Sequence, residues 1–224
     1  MSKDVIKNDE KFKTKDQKFA YNLELAKQGN AKAQLLVGIA YDGGDGVEKD
    51  VKEAIEWFRK AAEQGLPEAQ FYVGLCYLKG NGVEANQEEA LKWNRKAAEG
   101  GLSEAQYNLA NSYFFGSGVV KDEEIAVFWW FRAAEQGDEE AMNNLGHCYE
   151  HGLGVVKDEK EAFDWYSIAA ELHEPTAQCN LGRFYINGIG VEKNYEEALK
   201  WYKLSAEQGD EEAIEVLKAM KNSG

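Results

Sequence analysis

His147 and His151 stand four residues apart, with Cys148 and Glu150 between them. On an α-helix that spacing brings two imidazoles to one side, where both can ligate a single zinc ion. No third ligand follows at matched spacing, so the sequence predicts no metal, and the two histidines are assigned to contacts with a partner or water. Five Gly-x-Gly-Val segments, such as Gly152–Gly154–Val155, resemble phosphate cradles. None continues as Gly-x-Gly-x-x-Gly or carries the lysine of a nucleotide loop, and helix termination accounts for all five. Cys76, Cys148 and Cys179 are odd in number, and the first two hold one repeat position two repeats apart, too far for a bridge. They are expected as reduced thiols that fill packing space. Ser-x-x-Lys, Gly-x-Ser-x-Gly and His-Glu-x-x-His are all missing, so no catalyst and no cofactor is expected.

The elements that must carry these residues recur every 36 positions. Gly38, Gly74, Ala110, Gly146 and Gly182 define an origin, and a tyrosine follows three residues later each time, from Tyr41 to Tyr185. After the Gly-x-Gly-Val come Asp50, Asn86, Asp122, Asp158 and Asn194, then an alanine series from Ala54 to Ala198. A tryptophan series closes on Trp57, Trp93, Trp129, Trp165 and Trp201. Such a period marks stacked supersecondary units, here two helices each. In the first helix, residues such as Ala141, Leu145, Gly146 and Tyr149 share one side. The second starts at a capping Asp or Asn, with Glu three residues on in Glu53, Glu89, Glu161 and Glu197. Ala54, Ile55, Trp57, Phe58, Ala61 and Ala62 then point inward, which makes the tryptophan series core. The repeats are predicted at 31–66, 67–102, 103–138, 139–174 and 175–210, capped by helices at 16–28 and 211–221. Residues 15–224 form a single domain, and 1–14 a disordered polar lead.

The chain has 224 residues and a formal charge of −14, from 40 acidic and 26 basic residues. That balance repels nucleic acid and anionic membrane surfaces. No stretch is long and apolar enough for membrane insertion, and the start has no secretory signal, so a cytoplasmic location is expected.

The unit Ala-x-x-x-Leu-Gly-x-x-Tyr-x-x-Gly-x-Gly-Val, then Asp, Ala, Trp-Tyr and Ala-Ala-Glu-x-Gly, closely resembles the Sel-1-like repeat, a relative of the tetratricopeptide repeat. The resemblance covers residues 17 to 221. It implies an all-α, right-handed α-solenoid of helix-turn-helix repeats and a non-catalytic adaptor or scaffold that holds a protein or peptide ligand. Some cysteine-rich bacterial members are reported to bind or slowly hydrolyse β-lactams, which supplies the alternative. Those members carry a cysteine in each helix of a repeat, whereas no second helix here has one. By resemblance to tetratricopeptide proteins, the face of the first helices away from their core side lines a concave groove. The predicted partner site there is Phe71, Tyr72, Leu75, Tyr107, Asn108, Asn111, Phe114, Phe115, Asn143, Asn144, His147, His151, Asn180 and Arg183. Aromatic residues would anchor the ligand and amides would pair with its main chain, with Asn108, Asn144 and Asn180 as a ladder in one register. Lys79 and Arg183 are too few and too far apart to grip a terminal carboxylate.

One repeat departs from the rest. At 15, 18 and 21 residues past the origin the other copies are polar, as in Glu53, Glu56 and Arg59, but the third presents Ile125, Phe128 and Phe131. This stripe is predicted as a second contact patch, for a homodimer or a distinct partner.

Overall fold

The computed structural model describes residue 12 and residues 14–222. Helix α1 (Lys15–Lys27) precedes five pairs: α2 (Ala31–Gly43) with α3 (Val51–Glu63), α4 (Pro67–Lys79) with α5 (Gln87–Glu99), α6 (Ser103–Phe115) with α7 (Glu123–Ala134), α8 (Glu139–His151) with α9 (Glu159–Glu171), and α10 (Pro175–Asn187) with α11 (Tyr195–Glu207). Helix α12 (Glu211–Asn222) follows, and no strand occurs among the described residues. This is the all-α repeat of helix pairs that the sequence predicts. Most of the lead at 1–14 lies outside the described residues. Within it, Phe12 packs its ring 5.1 Å from that of Tyr21, and Thr14 caps α1 by accepting from the Gln17 amide. The chain comprises two compact units, one ending at Ala105 and one beginning at Gln106.

Each second helix starts where its Asp or Asn stops the loop. Asp50 accepts from the amides of Lys52 and Glu53 at 2.9 and 3.1 Å, and Asn86, Asp122, Asp158 and Asn194 cap their helices in the same way. The amide of each capping residue also donates to the carbonyl of the repeat's tyrosine, as from Asp50 to Tyr41 at 2.9 Å. That bond closes the loop from both ends. Within the Gly-x-Gly, the first glycine ends the helix in left-handed backbone, while the second has a different task. Gly82, at φ +73°, lies so close to the Val51 carbonyl of the preceding second helix that any Cβ would overlap it. Gly154 meets Glu123, and Gly190 meets Glu159, in the same way. The second glycine is therefore a contact point between repeats.

The origin glycine makes room for a ring. A Cβ on Gly146 would lie 2.7 Å from the Tyr166 ring, and Gly38 and Gly182 stand likewise against Phe58 and Tyr202. These rings, with Trp130, are the deeply buried members of the second helices. The tryptophan series stands one residue earlier and is core only in part. Trp57 is 9% exposed, whereas Trp93, Trp129, Trp165 and Trp201 are half-buried and pack on the margins of the core clusters. At 100° per residue, two adjacent positions cannot both point to the centre of one face, and in four of the five repeats the later one does, the second repeat having the half-buried Asn94 there.

Buried glutamines fasten one repeat to the next. Gln34 donates to the Ala26 carbonyl at 3.1 Å and accepts from Gln64 at 2.7 Å, so its amide is satisfied although only 6% exposed. Gln178 repeats the arrangement with Ala170 and Gln208, and Gln70 donates to Ala62. The fourth repeat has Met142 and Leu172 at the two glutamine positions, an apolar replacement of both members.

Candidate functional site

In the first unit, the predicted face of α4 is mostly occupied by packing. Tyr72 stacks on Phe58 with ring centroids 4.8 Å apart, and Phe71 and Leu75 are half-buried. Leu78, 57% exposed, and the exposed Lys79 lie at the end of that helix.

In the second unit, the first helices meet in a regular stagger. The residue four past the origin of one repeat faces the residue one past the origin of the next. Phe114 thus meets His147 with ring centroids 6.5 Å apart, and Glu150 meets Arg183 in a two-pronged ion pair at 2.7 and 2.8 Å. Nearer the helix starts, the position three before one origin meets the position two before the next. Asn180 donates to the Asn143 side chain at 3.1 Å, and the Tyr107 hydroxyl hydrogen-bonds with Asn144, Asn111 and Glu140.

This stagger gives the amides other partners than a common ladder of Asn108, Asn144 and Asn180. Asn180 is held between Asn143 and Arg183, its oxygen 3.3 Å from the Arg183 guanidinium. Asn144 faces Tyr107, while Asn108 is exposed and its carbonyl accepts from the Ser112 hydroxyl at 2.9 Å. Asn111 accepts from the Trp130 indole nitrogen at 3.2 Å, which satisfies that buried ring.

The charges are also committed. Burial pushes the Glu150 carboxyl up, but Arg183 and the Tyr166 hydroxyl, which donates at 3.1 Å, outweigh it and hold Glu150 below the ordinary carboxylate range. The Arg183 guanidinium is held above its usual value chiefly by the same bond. Arg183 therefore offers no uncompensated cation to a ligand. Glu150 and Tyr166 stand outside the predicted site residues, yet opposite charges at the staggered positions of adjacent repeats were the signal that could have found the pair.

Phe114 touches Trp130 at 5.0 Å and Phe115 at 5.1 Å, and Phe115 itself is 71% exposed. The rings of His147 and His151 lie 4.5 Å apart. Burial of part of the ring, then the neighbouring His151, lowers the His147 imidazole below its ordinary value. No group of three or more His, Cys, Asp and Glu side chains able to hold a metal occurs among the described residues. Burial pushes the thiols of Cys76, Cys148 and Cys179 up to about 11, 12 and 12, which keeps them protonated and unreactive near neutrality. Among the described residues, no helix is long and apolar enough to cross a membrane.

The repeat boundaries and the fold can be set against known proteins. The Sel1 repeat family matches at 31–66, 67–102, 103–138, 139–173 and 175–210. A Sel1 repeat protein from Oxalobacter formigenes is 42% identical, with a TM-score of 0.78 over 85% of this chain and 76% of its own. The protein c5321, a protective antigen of uropathogenic Escherichia coli strains with an SLR fold, is 38% identical with a TM-score of 0.82. The match covers 87% of this chain but only 42% of c5321. A Sel1 repeat protein from Klebsiella pneumoniae, 21% identical with a TM-score of 0.52, shares the fold. No curated protein matches. With five family matches in register, each spanning one helix pair, and two solved structures of the same repeat at about two-fifths identity, this chain belongs to the Sel1 repeat family.

Proposed function

We propose that this protein is a non-catalytic adaptor whose first-helix face in residues 106–224 binds an extended segment of a partner protein. Sel1 repeat proteins generally act as scaffolds for protein interactions and are typically non-catalytic. The observation that carries the finer reading is Phe115. It is 71% exposed, beside Phe114, at a position where the other repeats have Gly43, Lys79, His151 and Asn187. Nothing in the stacking of repeats requires a phenylalanine there.

The ligand inserts an apolar side chain beside Phe114 and Phe115. Its main chain meets the Asn108 amide and the His147 and His151 imidazoles, which offer it hydrogen-bonding groups. Tyr107, Asn111, Asn143, Asn144, Asn180 and Arg183 shape and stiffen that surface through their bonds to one another and to Trp130. Three unpaired, buried cysteines suit a reducing compartment such as the cytoplasm.

A peptide selected from a display library against the whole chain and titrated by calorimetry tests the reading. Phe115→Ala is expected to weaken binding about tenfold or more, as loss of a central aromatic anchor does. Unchanged affinity in that variant would remove the site.

A further inference from the structure

We propose that a band across the outer faces of α7 and α9 is the contact through which two copies of this chain associate about a twofold axis. The band lies on second helices and is independent of the first-helix ligand face. Ile125, Phe128 and Phe131 are 37%, 51% and 41% exposed. The Phe131 ring meets Trp165 of α9 edge-on at 5.6 Å, which carries the apolar surface to the neighbouring helix. Ile168, three residues past Trp165 on the same side, is 45% exposed.

Stacking does not require these side chains. The register of Phe128 is Glu56, Lys92, Asp164 and Lys200 in the other repeats, and that of Ile168 is Lys60, Lys96 and Arg132 in the first three. The adjoining Leu172 has a separate origin, since it replaces the second glutamine of the inter-repeat pair together with Met142.

Area and charge select a second copy as the occupant. With large apolar side chains of about 200 Å² at these exposures, and the adjoining Leu172 at 46%, the band exposes on the order of 400 Å² of apolar surface, near the upper range of what monomers leave open. Two such bands face to face supply about 800 Å². A little over half of an ordinary interface is apolar, so with a polar rim the total is about 1,400 Å², within the range of a stable dimer. A chain of net charge −14 must also bring its copies together where the charge is locally balanced. Two ion pairs border the band: Arg132 lies 5.6 Å from the centre of the Phe128 ring and 3.9 Å from Glu135, and Lys160 is paired with Asp164. A twofold axis lets those pairs exchange partners across the contact without adding net charge.

Light scattering on the full chain over a hundredfold concentration range tests this. The mass should rise to about 50 kDa, twice the 25.1 kDa of one chain, and level off there. Phe128→Glu with Phe131→Glu should return it to 25.1 kDa at every concentration, with an unchanged helical circular dichroism spectrum. Should that pair not fold, Ile168→Glu serves instead. Phe115→Ala should remain dimeric, which separates this contact from the ligand face. A wild type that stays at 25.1 kDa overturns the proposal and leaves the band to a different protein. A mass that keeps rising past two chains overturns it in favour of open head-to-tail contact, and a dimer that survives the substitutions places the interface elsewhere.

Discussion

Two steps between first helices use the same geometry and opposite chemistry. From the third repeat to the fourth, Phe114 faces His147; from the fourth to the fifth, Glu150 faces Arg183. The ion pair is closed: its carboxylate is 11% exposed and accepts from Arg183 and from Tyr166. The aromatic step has no such bond across it, leaves Phe115 beside it in solvent, and holds the His147 imidazole below its ordinary value. Thus one staggered position can either lock two repeats together or leave an aromatic surface open, and the residues at that position decide which.

Breaking the closed step should have the largest effect. Glu150→Ala leaves the Arg183 guanidinium and the Tyr166 hydroxyl without their acceptor, and should lower unfolding free energy by about 3 kcal/mol in urea titration. Converting the closed step to the open kind, with Glu150→Phe and Arg183→His, should cost about 1 kcal/mol, because it removes both charges together. A double variant as unstable as Glu150→Ala would show that the ion pair contributes more than its own compensation. Tyr166→Phe, which removes one donor from Glu150 and keeps the ring over Gly146, should also cost about 1 kcal/mol.

The same comparison has a pH signature. Glu150 has a folded value below its unfolded one, so its contribution is complete above the ordinary carboxylate pKa of about 4.3 and is lost as pH falls through the folded value. Stability measured from pH 6 downward should fall less steeply in Glu150→Gln than in wild type. The smallest effect belongs to the open step. His147→Ala should change stability by no more than about 0.5 kcal/mol, since the ring is exposed. Zinc titration should give the same heat with and without that substitution.

Much of this fold could be read directly. The period, the capping Asp and Asn residues and the helix-ending glycines are local instructions, and Asp50, Asn86, Asp122, Asp158 and Asn194 each act on backbone two or three residues away. The candidate site was readable as a set of positions but not as a set of partners. Projection around a single helix places Asn108, Asn144 and Asn180 in one line, yet the neighbouring helices meet at staggered positions, so Asn180 bonds Asn143 and Tyr107 meets Asn144. The tryptophan series shows the same limit: recurrence marked it as core, but the angle at which the helices pack puts the following residue at the centre.

The order of residues alone determined that there are helix pairs, where each begins and ends, and that Ile125, Phe128 and Phe131 break the pattern, because all of these follow from short-range sterics, hydrogen bonding and repetition. Only the tertiary structure decided which side chains spend their hydrogen bonds on one another. That depends on the offset between adjacent helices, set by contacts such as Gly82 against the Val51 carbonyl, and contacts of that kind join residues about thirty positions apart in the chain.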